Sequence, residues 1–145
     1  MKKEKSKGTF QIVSISRTAD SLYLKDDKVS ENIKFSLDSY LSLKPNEHLA
    51  IVILSSLFFN EKEEPITNEL NVQLVFHFEN DLPIVEDNGS AIVKNYEELI
   101  MIMNISVGTY RGILYEWLKG SELQQPLPSI DIEEFINGLK ISFSK

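Results

Sequence analysis

The sequence lacks cysteine altogether, and it lacks any long run of apolar residues. The absence of cysteine excludes a disulfide framework, a thiol nucleophile and any zinc or iron–sulfur site built from cysteines. The longest apolar windows, Leu49–Leu54 and Leu99–Met103, fall well short of the roughly 18 residues that a membrane span needs. We therefore expect no membrane insertion, and the reducing cytoplasm as the location of the protein.

Positive charge is also scarce. The 145 residues include 15 Lys and Arg against 22 Asp and Glu, a formal net charge of −7. This balance argues against a nucleic-acid partner, whose phosphates need clustered Lys and Arg. Four lysines and one glutamate fall in Met1–Lys7, which therefore carries +3 and leaves −10 for the remainder. No apolar signal-peptide core follows this basic start, so we predict a flexible basic tail over residues 1–8 and one domain over 9–145.

The first half of the chain shows the period-two alternation of β-strands. Apolar residues alternate with polar ones through Phe10–Ile15, Ile33–Leu43 and Leu70–Phe78. The run His48–Phe59 is apolar on both parities instead, which predicts a strand covered on both faces. Because charged turns such as Asn60–Pro65 make the connections short, the sequence predicts an antiparallel meander of four strands.

The second half changes to helical spacing. A long helix is predicted over Asn95–Gly120, with Asn95 and Glu98 as a capping pair and Gly120 as the C-terminal cap. A short helix begins at Asp131, with Glu134 in the capping-box position. The predicted fold class is therefore α+β: a four-stranded antiparallel sheet followed by one long and one short helix packed on one face.

No catalytic motif stands out. His48 and His77 lie far apart in the sequence and show no metal-ligand spacing, and no P-loop, nucleophile elbow or dinucleotide fingerprint is present. The acidic clusters fall in turns or at a helix start, where solvated charge is the simpler explanation. We expect no enzyme, no cofactor and no metal.

Two glycines lie inside the predicted long helix, where each lowers the stability of the helix by about 0.8–1.0 kcal/mol relative to alanine. We therefore expect them to have a compensating role. Spaced four residues apart, they share a helix face and permit close approach of another backbone. The sequence leaves two interpretations open, an oligomer interface or a packing notch against the chain's own sheet. On the first interpretation, the interface residues are Gly108, Tyr110, Arg111, Gly112, Tyr115 and Trp117.

Most phenylalanines have core parity, but some large apolar residues fit a core less well. One lies among the polar positions of its alternating strand, and two lie at the end of the predicted strand His48–Phe59. The others lie in the final loop and the short helix. If the second face of the sheet is only partly covered, these residues line an exposed groove for a partner or ligand. The candidate binding residues are Tyr40, Phe58, Phe59, Leu127, Ile130, Phe135 and Ile136.

The chain resembles the SecB export-chaperone family from Thr9 to Phe135. Thr9–Ile12 is similar to the opening of that family's first strand, and Asp20 falls near an acidic position there. Tyr110-Arg111 in the long helix, Gly120 at its end and Pro128–Glu133 after the loop resemble the family's C-terminal half.

The resemblance implies a cytosolic homotetramer, a dimer of dimers, with the long helices packed at the inner interface. It implies ATP-independent holding of unfolded polypeptide clients in apolar grooves formed by the crossover region, the loop and the short helix. It also implies that Asp20 contributes to docking on the SecA translocase motor.

Three positions depart from the family pattern. Leu24 replaces a second acidic residue, Val75–Phe78 replaces a glycine pair, and Asn95–Glu98 replaces a Cys-Pro start of the long helix. The first two differences argue against docking on the motor. The sequence therefore leaves open a SecB-like accessory protein dedicated to one partner, such as a toxin–antitoxin or mobile-element protein, without general chaperone activity.

Overall fold

The computed structural model describes residues 10–18, 22, 33–121, 123 and 130–144. The predicted tail over residues 1–8, the docking residue Asp20 and the groove residue Leu127 lie outside these ranges. The described elements, in chain order, are β1 (Phe10–Arg17), β2 (Lys34–Lys44), β3 (Leu49–Phe59), β4 (Leu70–Phe78), β5 (Ile84–Asp87), β6 (Ser90–Val93), α1 (Tyr96–Trp117), α2 (Ile132–Asn137) and β7 (Lys140–Phe143).

The main sheet has five strands in the order β1-β4-β3-β2-β7. The first four strands form the antiparallel meander that the sequence predicts, but β7 pairs with β2 in parallel. The prediction of a four-stranded sheet is therefore wrong. Lys140–Phe143 alternates polar and apolar residues, but a four-residue alternation directly after a helix is too short to identify a strand.

One face of the sheet carries the core, and we call it the inner face. The even-numbered residues Ala50, Val52 and Leu54 of β3 are fully buried on it, together with their cross-strand neighbours. On the opposite, outer face Ile51 and Ile53 stay partly exposed. The prediction that β3 is covered on both faces is thus wrong for the described part of the chain.

Helix α1 covers the inner face. Asn95 Oδ1 accepts a hydrogen bond from the Glu98 backbone N–H at 3.1 Å, as the capping pair predicts. The Tyr110 hydroxyl is fully buried and donates to Ser56 Oγ on β3, which ties the helix to the sheet. The helix ends at Trp117, and Gly120 lies beyond it with the left-handed φ of +83° that favours glycine.

The segment before α1 is a hairpin that the sequence interpretation missed. Asn88 and Gly89 both have positive φ, 53° and 82°, which is the signature of a type I′ turn between β5 and β6. The Asn88-Gly89 pair is the sequence signal for this turn, whereas the flanking four-residue strands show no alternation. No helix among the residues placed by the structure is both long and apolar enough to cross a membrane.

Candidate functional site

A pocket of about 300 Å³ lies between the β2 edge of the sheet and helix α2. Asp131 caps α2, since its Oδ1 accepts from the backbone N–H groups of Glu133 at 3.1 Å and Glu134 at 3.4 Å. This cap starts the short helix where Phe135 is half-buried against the core. The pocket, called here the β2–α2 groove, is lined by Leu37, Asp38, Ser39, Ile130, Asp131, Glu134, Phe135 and Gly138.

The β2–α2 groove has an apolar floor and an acidic rim. Leu37, Ile130 and Phe135 supply the apolar surface, whereas Asp38 and Glu134 are exposed carboxylates beside it. The neighbouring cation is Lys140, whose Nζ lies 3.7 Å from Asp38 Oδ1. The groove is therefore suited to an apolar side chain that is accompanied by positive charge.

Ser39 adds a polar group to the groove. It is only 5% exposed and is part of the groove lining.

Tyr40 and Phe59 lie on the outer face of the sheet, not in the groove. Tyr40 is 37% exposed, and Lys140 Nζ stands 5.0 Å from the centre of its ring. Phe59 is partly exposed at the far end of β3, six positions beyond Ile53, the cross-strand neighbour of Tyr40. At about 3.4 Å per residue the two rings are separated by about 20 Å, so they form no common site.

The remaining predicted binding residues are closer to the core. Phe58 is 6% exposed and packs against Phe35, with the ring centres 5.0 Å apart, so it offers no open surface. Ile136 is half-buried on α2, outside the groove lining. The structure thus brings Ile130 and Phe135 together in the lining of the groove, which includes none of the residues Tyr40, Phe58 and Phe59.

Sequence reasoning missed two groove residues, Leu37 and Ser39. The parity of Leu37 assigned it to the core, and the serine carried no signal of its own. Both lie on the inner face of β2, next to the edge of the sheet, and this position depends on the strand order.

The two helix glycines face away from the sheet. A Cβ added at Gly108 or Gly112 meets no atom of the described residues within 4 Å, which removes the interpretation as a notch against the chain's own sheet. Tyr115 shares the exposed side of α1 and is 48% exposed. Tyr110 and Trp117 point into the core instead, and Arg111 is partly buried between the two sides.

Further apolar residues are exposed on α1 and on strand β1. Met101 on α1 is 50% exposed, and Tyr96 opens the same helix in an exposed position. Strand β1 forms one edge of the sheet, and its residues Ile12, Val13 and Ile15 are all exposed. An exposed apolar edge strand is a template for pairing with another chain.

The two histidines do come close in space, although they are far apart in sequence. Their ring centres are 6.2 Å apart, and His48 Nδ1 lies 3.0 Å from the Asn80 carbonyl oxygen. No group of three potential metal ligands occurs among the residues that the structure describes.

No protein-family model and no curated protein match the sequence. The structure matches that of the SecB-like chaperone Rv1957 from Mycobacterium tuberculosis, solved in complex with a ChAD peptide from the Rv1956 HigA1 antitoxin. The match has a TM-score of 0.53 and 13% sequence identity, and it covers 85% of this chain and 91% of that chain. It confirms the predicted resemblance at the level of the fold: the chain has a SecB-like α+β fold.

Proposed function

We propose that this chain is an ATP-independent holding chaperone that binds unfolded or extended polypeptide segments in the β2–α2 groove. The observation that carries the proposal is the groove itself, with Leu37, Ile130 and Phe135 half-buried beside the edge of a sheet. Partly exposed apolar side chains in a concave surface mark a binding site for a partner. Holding an unfolded chain slows its aggregation by mass action and needs no chemistry.

The solved relative supports a polypeptide ligand, since it is a SecB-like chaperone in complex with a peptide from an antitoxin. The same observation favours the second candidate function, an accessory protein dedicated to one such partner. The two candidate functions differ in the number of different polypeptides that the chain binds. A general chaperone recognises extended apolar segments of many sequences, whereas a dedicated protein recognises one.

Aggregation of two unrelated unfolded proteins, followed by light scattering at equimolar chaperone, tests the proposal. The general function predicts protection of both proteins, and protection of neither contradicts it. If neither is protected but one natural partner copurifies with the chain and is stabilised by it, the dedicated function is the correct one.

Self-association is part of the proposal. Gly108 and Gly112 present a bare backbone on the exposed side of α1, with Met101 and Tyr115 on the same helix exposed to solvent. The exposed edge of β1 offers a second contact between copies. We propose a homo-oligomer, a dimer or a tetramer, that uses these two surfaces and acts in the cytoplasm without cofactor or enzymatic activity. A link to export through motor docking would need a site at Asp20, outside the described residues.

A further inference from the structure

The edge of β2 is only partly occupied. On one side all eleven residues of β2 pair with β3, but on the other side β7 pairs only with Tyr40–Leu43. No strand within the described ranges pairs with the preceding stretch, Lys34–Ser39, on that side. Among the described residues, the first six of the eleven residues of β2 therefore have no strand partner on this side, and we call them the open stretch. Leu37, Asp38 and Ser39 of the open stretch line the β2–α2 groove.

The open stretch presents backbone hydrogen-bonding groups to the groove. The Leu43 carbonyl accepts from the Ser144 backbone N–H at 2.8 Å, so the backbone groups of Leu43 point toward β7. Because every second residue of a strand points the same way, Leu37 and Ser39 direct their N–H and C=O groups to the open edge. An extended polypeptide that pairs there satisfies these groups and places alternate side chains in the groove.

Strand β7 shows which chemistry this edge accepts. Its residues Ile141 and Phe143 are half-buried and pack against the core, whereas Lys140 and Ser142 are exposed. Lys140 lies 3.7 Å from Asp38 and 5.0 Å from the centre of the Tyr40 ring. The edge of β2 thus holds an extended segment with apolar residues at every second position, a basic residue before the first of them and a serine between them.

Strand β7 is bound to β2 weakly enough to exchange with another extended segment. The strand has four residues, it pairs in parallel, and its ion pair with Asp38 joins two largely exposed side chains. A parallel ladder is slightly less stable per residue than an antiparallel one, and an exposed ion pair contributes little. Local opening of such a segment requires less free energy than global unfolding.

We propose that β7 is an internal occupant of the client-binding edge, and that an extended client segment of alternating apolar and polar or basic residues displaces it and pairs with β2. The inference rests on the proposed chaperone function and specifies how that site recognises polypeptide.

A reversible covalent clamp tests the displacement. Ser42 and Ser142 are directly opposite each other on the outer face, and the chain has no natural cysteine. Adjacent strands lie about 4.8 Å apart, within the Cα separation that a disulfide spans. The double variant Ser42→Cys/Ser142→Cys therefore fixes β7 on β2 when oxidised and releases it when reduced, without removing any part of the chain.

The measurement is the affinity of both redox forms for carboxymethylated α-lactalbumin, which stays unfolded and has no free thiol. We expect the oxidised form to bind at least about tenfold more weakly than the reduced form, since clamping removes the competent open state. The single variants Ser42→Cys and Ser142→Cys, treated identically, are the matched controls and should bind the same in both conditions. The variant Ile141→Ser, in which β7 packs less firmly, should bind carboxymethylated α-lactalbumin more tightly than the wild-type chain does.

The outcomes separate this inference from the proposed function. Equal binding by the oxidised and reduced double variant, with wild-type affinity in both, overturns displacement of β7 and leaves the chaperone function intact. Absence of binding by the wild-type chain and by both redox forms overturns the chaperone function and the displacement with it.

Discussion

At the scale of single residues, two aromatic side chains have opposite roles. Phe135 is half-buried beside an open groove, whereas Tyr110 is sealed between α1 and the sheet. The sequence predicted Phe135 as a binding residue because it lies in a short helix after the main core elements. The sequence also predicted Tyr110 at an oligomer interface, because this residue lies between the two helix glycines. The rotation of the helix instead turns the ring towards the sheet.

Replacing Phe135 by aspartate should weaken binding of carboxymethylated α-lactalbumin by at least about tenfold, because it removes an apolar contact and adds to the acidic rim. The control is Ile92→Asp, the same kind of change at an exposed apolar position on β6. Affinity is measured by fluorescence anisotropy, and thermal melts establish that both variants are folded. Similar affinities for the two folded variants would place client binding elsewhere.

Tyr110 should make stability fall at high pH. Burial and, to a smaller degree, the carboxylate of Glu69 raise the pKa of Tyr110 well above its ordinary value. Ionisation is then easier in the unfolded chain, so the stabilisation is complete below pH about 10 and is lost as the pH rises above it. Chemical denaturation at a series of pH values should show this loss, and Tyr110→Phe should flatten it. An unchanged slope in the variant would assign the loss to other groups.

At the scale of elements, the long regular segments were predictable and the short ones were not. Helix α1 has both a capping residue and sustained apolar spacing, so its start at Asn95 was identified correctly. The hairpin of β5 and β6 and the strand β7 contain only four residues per strand, too few for a period to emerge. The groove depends on β7 flanking β2, a parallel pairing between segments about 100 residues apart that no local pattern reveals.

Substituting alanine for Gly108 and Gly112 should have two opposite effects. The free energy of unfolding of the isolated subunit should rise by about 0.8–1.0 kcal/mol for each change, since no atom of the described part of the chain lies within 4 Å of the added Cβ. Self-association should weaken, because two methyl groups hold the partner backbone away. Denaturation at low concentration and sedimentation velocity measure the two quantities. Greater stability with unchanged association would remove α1 from the interface.

At the scale of the whole molecule, the acidic charge acquires a role beyond excluding nucleic acid. The chain combines a net charge of −7 with apolar residues that are exposed on β1, on α1 and in the groove. Net charge away from zero keeps such a surface soluble, and it favours basic segments in a client. The fold class was predictable from the order of segments, whereas the separation of Tyr40 and Phe59 from the groove required the register of β2 and β3.

The central claim is that the chain distinguishes unfolded from folded polypeptide. The most direct measurement is titration calorimetry with α-lactalbumin in two forms, native with bound calcium and carboxymethylated, because both forms share nearly the same sequence. The account predicts binding of the carboxymethylated form and none of the native form. Equal affinity for both forms, or binding of the native form alone, would contradict it.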